Sequence, residues 1–215
     1  MHPEVELVRI VSVPFEENTY ILRLRERNDC LIVDPGLEPE KILAHLAAKK
    51  LVPAAILNTH GHMDHIAGNA ALKQQWPECP LVIGADEAEK LVDPALNLSA
   101  AFGQPCTSPP ADVQVRDGQI YSAAGVELEV RAIPGHSAGH VVYLFQAHDP
   151  PMVFVGDVIF AGSIGRTDFP DGSFQQLSDG IGKKLFTLPE ETILLPGHGP
   201  RTTAGYEKRT NPFLR

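Results

Sequence analysis

The sequence predicts an α/β protein in which two β-sheets pack face to face and helices cover their outer sides. Three observations carry this. Short runs dense in β-branched and apolar residues recur along the chain and are apolar on both sides, which suits strands covered on two faces. They fall into two roughly equivalent halves, each with several strands, a helix and a strand running into histidine or aspartate, without an obvious sequence repeat. At 43% hydrophobic over 215 residues, the chain can bury a substantial core, and one domain spanning 1–215 is expected.

In chain order, residues 5–13, 19–24 and 30–34 read as strands separated by short polar segments. From 35 to 50 the spacing turns helical: Ile42, Leu43, Leu46 and Ala47 share a face, and lysines close the segment. A strand at 54–58, a helix at 67–76 and a short strand at 81–84 follow. Residues 86–112 combine one helical piece with a Pro-rich stretch, a composition suited to a loop wall over a site. Strands resume at 119–122, 126–133, 140–145 and 152–156. A helical region around 174–186 then precedes a last strand at 192–195.

Composition narrows the function. The net charge is -9 and no basic block is present, which argues against nucleic acid as a partner. The longest apolar runs are strand-sized, so no membrane span is expected. Cys30, Cys79 and Cys106 form no C-x-x-C pair. Their odd number, with no leader pattern, points to a reducing, cytoplasmic setting. No G-x-G-x-x-G precedes a helix and no P-loop is present, so nucleotide folds lose their usual support. Monomer and dimer are left equally open.

The stretch LNTHGHMDHIAG (57–68) crowds His60, His62, Asp64 and His65 together in a chain of nine histidines. His60 and His62 alternate after a strand, so an extended segment turns both to one side. Asp64 and His65 lie where a helix begins and face a second point. His136 in RAIPGHSAGH, Asp157 in VFVGDVIF and His198 in ILLPGHGP follow other apolar strands, each near a glycine that permits close backbone approach. Strand ends converging on one crevice are a usual place for a site.

Five histidines and two carboxylates exceed the three or four ligands of one zinc. They suit two ions about 3.5–4 Å apart sharing a carboxylate and a water-derived hydroxide. The division expected is His60, His62 and His136 on one ion, Asp64, His65 and His198 on the other, and Asp157 between them. Asp64 is also a candidate for orienting the hydroxide. Any one of these histidines alone reads as a hydrogen-bonded loop residue; seven such groups at strand ends do not. His2, His45 and His148 read as tail, helix surface and turn. His140 suits either orientation of the site or core packing. Arg166 suits a loop-holding pair with Asp168 or Asp171, or contact with a substrate carboxylate. Lys183, Lys184, Arg201 and Arg209 read as solvated charges.

THGHMDH (59–65) matches the H-x-H-x-D-H motif of the metallo-β-lactamase superfamily. GHSAGH, GDVIFAGSIGRTDFPDG and LLPGHGP follow in the order of its hydrolase core. The chain most closely resembles the short glyoxalase II-like, or hydroxyacylglutathione hydrolase-like, members, over nearly all its length through TTAGYEKRTNPFL. The resemblance implies a four-layer αββα sandwich. It implies the same seven ligands with Asp157 bridging, and two divalent ions, zinc first, with iron or manganese as substitutes. In such enzymes a bridging hydroxide attacks a thioester carbonyl, and S-lactoylglutathione yields lactate and glutathione. The expected partner is thus a small thiol-derived substrate.

Three departures from that group stand out. GRTD replaces a G-K-F-Y/F-E-G-like segment, GHSAGH replaces GHTPGH while keeping both histidines, and the C-terminal helical domain that contacts glutathione is expected to be lacking. The main rival within the superfamily is a persulfide dioxygenase oxidising glutathione persulfide. Such enzymes also carry GRTDF and use a single iron on the equivalents of His60, His136 and Asp157, whereas PGHGP favours the hydrolase. A β-lactamase or lactonase would use the same ligands on another acyl bond, and nuclease relatives carry an extra domain and more basic surface. A non-catalytic metal-binding interaction module would predict lost ligands, and none is missing.

Overall fold

The computed structural model describes residues 4–215, and His2 lies outside them. Strands β1 (Val5–Ser12), β2 (Glu17–Leu24) and β3 (Asp29–Val33) form an antiparallel meander. Helix α1 (Pro39–Lys49) crosses over to β4 (Val52–Leu57), parallel to β3. Short helices α2 (Met63–Ile66) and α3 (Asn69–Gln75) lead to β5 (Leu81–Gly84), parallel to β4. A 3-10 helix over Ala85–Leu91 and the Pro-rich segment then lead to β6 (Val113–Val115), parallel to β5. The first sheet therefore runs β1-β2-β3-β4-β5-β6.

The second half starts with an antiparallel run of β7 (Ile120–Ala123), β8 (Val126–Ala132), β9 (Val141–Phe145) and β10 (Met152–Gly156). A small hairpin, β11 (Ile159–Phe160) and β12 (Ser163–Ile164), follows. Helix α4 (Phe174–Lys184) crosses to β13 (Ile193–Pro196), parallel to β10. The chain then turns through β14 (Thr202–Thr203) into α5 (Ala204–Thr210). This sheet runs β14-β13-β10-β9-β8-β7.

Strand periodicity assigns each side chain to a layer. On β3, Leu31 and Val33 enter the core between the sheets, while Cys30 and Ile32 pack outward with Ile42 and Leu46 of α1 and Leu72 of α3. On β9, Val141, Tyr143 and Phe145 face inward, and Val142 and Leu144 pack outward with Leu177 and Ile181 of α4. Three apolar layers between four layers of secondary structure give the αββα sandwich. Each fully buried Leu, Ile or Phe contributes on the order of 1.5–3 kcal/mol.

The differences from the expected elements are local. The helix expected at 67–76 starts at Met63 and breaks near Gly68, whose amide donates to the Pro35 carbonyl at 2.8 Å instead of extending α2. Ala47 is exposed, because α1 buries a narrow stripe of Ile42 and Leu46 with Leu43 at its margin. The expectation missed β6, the β11–β12 hairpin, β14 and α5. Among the described residues, no helix is long and apolar enough to cross a membrane.

Candidate metal centre

The ends of four strands deliver the seven side chains to one place. The turn after β4 carries His60 and His62, and α2 adds Asp64 and His65. His136 follows β8, Asp157 follows β10, and His198 follows β13. His60, His62 and His136 form one group whose donor atoms all lie within 4.8 Å of one another, and Asp64, His65 and His198 form another. Asp157 faces both. Its Oδ1 is 3.4 Å from His65 Nε2, and its Oδ2 is 3.5 Å from both His136 Nε2 and His198 Nε2. His198 Nε2 lies 3.3 Å from Asp64 Oδ2, and His62 Nδ1 lies 2.9 Å from His136 Nε2.

The separations of 3.3–3.5 Å around Asp64 and Asp157 fit metal ligation. With bonds of 2.0–2.1 Å, tetrahedral ligands stand roughly 3.3–3.4 Å apart. Buried polar atoms otherwise carry hydrogen bonds. Here His60 Nε2, His62 Nε2, both ring nitrogens of His65 and Asp157 Oδ1 are buried without one. Ions at these donor groups would satisfy one nitrogen of each ring together with Asp157 Oδ1, leaving His65 Nδ1 to face Asp34 Oδ2 at 3.2 Å. Electrostatics points the same way. Burial and neighbouring imidazoles hold His60 and His62 well below the ordinary histidine value, so their lone pairs are free. Burial opposes ionisation of Asp64 and Asp157, yet the surrounding histidines keep both below the usual carboxylate range. For His65, burial is outweighed by the Asp64 and Asp157 carboxylates, which raise it, and a metal would take the place of that proton.

Backbone and outer side chains fix the rings. His136 Nδ1 donates to the Arg166 carbonyl and His198 Nδ1 to the Phe15 carbonyl, each at 2.9 Å, which turns both Nε2 lone pairs toward the centre. Asp34 closes β3 and accepts from the Thr59 amide and hydroxyl, both at 2.7 Å; its Oδ2 also lies 3.2 Å from His65 Nδ1. His140 is buried, stacks on His60 with ring centres 4.6 Å apart, and accepts from the Asp157 amide at 3.2 Å. Gly197 is required by closeness, since a Cβ there would strike Asp157 Oδ1 and the His65 ring.

A buried charged network braces the loops. Glu87 Oε2 accepts from the Gly61 amide at 2.8 Å, and Oε1 accepts from the Gly139 amide at 2.7 Å and the Ser137 hydroxyl at 2.5 Å. Lys90 Nζ lies 3.3 Å from Glu87, donates to Ser137 Oγ and to Asp171 at 2.5 Å, and so ties in the loop after β12. Glu87, Lys90 and Asp34 were not anticipated from sequence. Asp34 had a signal: VDPG repeats the strand, polar residue and glycine pattern of IPGH and LPGH. Glu87 and Lys90 had none, lying in a charged stretch that resembles a solvated helix.

Arg166 stands at the rim, holds Asp168 through two hydrogen bonds of 2.8 Å as the loop-holding alternative expects, lies over Phe169 at 4.4 Å, and also lines the cleft. Lys184 and Arg209 pair with Asp117 and Glu190, and Lys183 lies near Asp179; none of these lines the cleft of about 380 Å3 above the histidines.

This fold, with seven clustered His and Asp side chains at its strand ends, places the chain in a known class. Residues 13–198 match the metallo-beta-lactamase superfamily, and the chain belongs to that family. It is 40% identical to the "probable metallo-hydrolase YqgX" of Bacillus subtilis over 94% of this chain and 93% of that one. It is 35% identical to the hydroxyacylglutathione hydrolase GloC of Haemophilus influenzae over 98% of this chain and 97% of that one. Among solved structures, the BLEG-1 B3 metallo-beta-lactamase superposes with a TM-score of 0.92 at 37% identity, covering 97% of this chain and 99% of that one. A di-iron-bound form of TTHA1623 gives 0.84 at 35% identity, covering 96% and 100%. ETHE1 from Myxococcus xanthus gives 0.79 at 28% identity, covering 96% and 83%.

Proposed function

We propose that this chain is a metal-dependent thioester hydrolase of the glyoxalase II kind, acting on small thiol-derived substrates such as S-lactoylglutathione. The observation that carries this reading is a set of three overlapping donor groups at the floor of one cleft, with Asp157 within 3.5 Å of His65, His136 and His198 nitrogens. The likeness to GloC over nearly the whole of both chains supports the thioester as the bond attacked. His60, His62 and His136 would hold one divalent ion and Asp64, His65 and His198 the other, with Asp157 reaching both. Zinc suits the histidine-rich set, and iron or manganese are substitutes. When bound, such a pair supplies a water of lowered pKa and polarises the scissile carbonyl.

The chain's own residues do the rest. Asp157 and Asp64 carry fixed negative charge beside the imidazoles, and Asp64, the more accessible of the two, would orient the attacking water. His140 and the carbonyls of Arg166 and Phe15 keep these groups from rotating. The apolar rim around the histidines limits bulk water, which strengthens electrostatic stabilisation of the charge that develops on the carbonyl oxygen.

A second reading is a single-iron persulfide dioxygenase, favoured by Gly165-Arg166-Thr167-Asp168-Phe169 at the rim. The likeness to ETHE1 is in line with it. One preparation decides between them through metal content, S-lactoylglutathione hydrolysis, and oxygen uptake with glutathione persulfide. Two ions with thioester cleavage support the hydrolase. One firmly held iron with oxygen consumption and no thioester cleavage overturns it.

A further inference from the structure

The cleft above the histidines is walled by aromatic and aliphatic side chains. Phe15, on the β1–β2 connection, meets Phe102, on the Pro-rich segment, edge to face with ring centres 5.6 Å apart. Phe160 on β11 stands edge-on to His198 at 5.9 Å. At the other end, Phe169 stands against His62 at 5.2 Å and His136 at 5.8 Å. Leu98 adds to the wall beside Phe102 in the same segment. Apolar walls of this kind recognise apolar groups, with aromatic edges adding to the gain from area alone.

These rings are mounted on backbone that also holds the site. The Phe15 carbonyl accepts from His198, and the Asn97 carbonyl, next to Leu98, accepts from the Met63 amide at 3.1 Å. The pocket is therefore set by the same contacts that set the histidines. Lysine and arginine are scarce around it. Among the described residues lining the cleft, Arg166 is the only Lys or Arg, and its Nε–Nη2 edge is taken by Asp168. Glutathione brings two carboxylates and an ammonium remote from its sulfur, and each needs a partner when it leaves water. The wall offers a single Lys or Arg for the two carboxylates, Arg166, which is already paired with Asp168.

We infer that the cleft favours thioesters whose non-reacting part is uncharged and apolar, an aryl or branched-alkyl acyl group on a neutral thiol, and cleaves S-lactoylglutathione more slowly than these. This rests on the hydrolase reading above. Phe15, Phe102, Phe160 and Phe169 are the specificity-determining residues.

The test compares S-phenylacetyl-N-acetylcysteamine, S-acetyl-N-acetylcysteamine and S-lactoylglutathione on the metal-loaded protein. The phenylacetyl substrate has kcat/KM roughly tenfold or more above both others. Phe102→Ala and Phe15→Ala lower it roughly tenfold, mainly through KM, and narrow the phenylacetyl-to-acetyl ratio. Phe174→Ala, an exposed phenylalanine on α4 outside the cleft, leaves that ratio as it is. Inhibition by phenylacetate but not by free glutathione reads binding apart from turnover. Preference for S-lactoylglutathione, with Phe15 and Phe102 variants that keep the ratio, overturns the specificity and leaves the hydrolase standing. Absence of cleavage of all three thioesters overturns the hydrolase reading and this inference with it.

Discussion

Lys90 and Glu87 form a buried ion pair, 3.3 Å apart, on a single 3-10 helix beside the metal-site loops. The pair is not isolated: Glu87 takes two loop amides and a hydroxyl, and Lys90 reaches on to Asp171. Removing one partner leaves the other as an uncompensated buried charge. Lys90→Met is expected to destabilise the fold by about 3–5 kcal/mol, measured by urea unfolding. A loss below about 1 kcal/mol would mean the network is incidental to stability.

Asp157 faces both donor groups, so its loss should be felt by both. Asp157→Ala is expected to lower metal content from two ions per chain toward one or none and to reduce thioester turnover by a factor of about 10² or more. Elemental analysis and steady-state kinetics on one sample check both effects. Full metal content with undiminished turnover would remove Asp157 from the mechanism.

Asp34 touches no substrate-lining atom but holds Thr59 and faces His65. Asp34→Ala is expected to weaken metal binding by roughly 10–100-fold, as losses of carboxylates behind ligating histidines do. Competition with a chelator of known affinity measures this. Asp34→Asn, which still accepts one of the Thr59 bonds, should recover part of it.

Chelation should lower the melting temperature reversibly, because the buried nitrogens of His60, His62 and His65 and Asp157 Oδ1 lose their partners. Ion binding to the folded state alone stabilises it by mass action. Thermal unfolding before and after chelation, then after adding zinc, reads the effect. A melting point indifferent to metal would count against an occupied centre.

Asp171 gives an acid-side signature. Burial would raise its carboxyl, but the Lys90 ammonium and the Ala138 amide bring it below the usual carboxylate value. A carboxyl lowered on folding adds stability that is fully present above its unfolded value near 3.9. That contribution is lost as pH falls through the lower folded value, where the unfolded chain binds more protons. Asp171→Asn should therefore flatten the decline in stability below about pH 4, as followed by denaturant midpoints at stepped pH.

Most of the architecture was legible because strands buried on two faces announce themselves. Leu31 to Val33 and Val141 to Phe145 are apolar at every position, and period two sends alternate residues to different cores. The clustered groups were legible because His60, His62, His136, Asp157 and His198 follow apolar strands and Asp64 and His65 open the helix just after one of them. The hidden parts depend on distant partners. β6 is three residues that become a strand only beside β5, and β14 is two residues against β13. Glu87 and Lys90 look solvated in sequence, and their burial comes from three loops closing over them. His140 could not be assigned until the Asp157 amide was found against its ring. Arg166 kept two readings from sequence, and Asp168 holds its Nε–Nη2 edge at the rim of the cleft.

The first sheet's half contributes His60, His62, Asp64 and His65, and the second half contributes His136, Asp157 and His198. Neither half holds enough of either ligand set on its own. Metal loading is thus a stitch across the seam of the sandwich: each ion bound is also a vote for the two halves staying docked. Ion capture there and closure of the seam would favour one another, and a lesion that loosens one sheet from the other would first be visible as a protein that no longer keeps its metal.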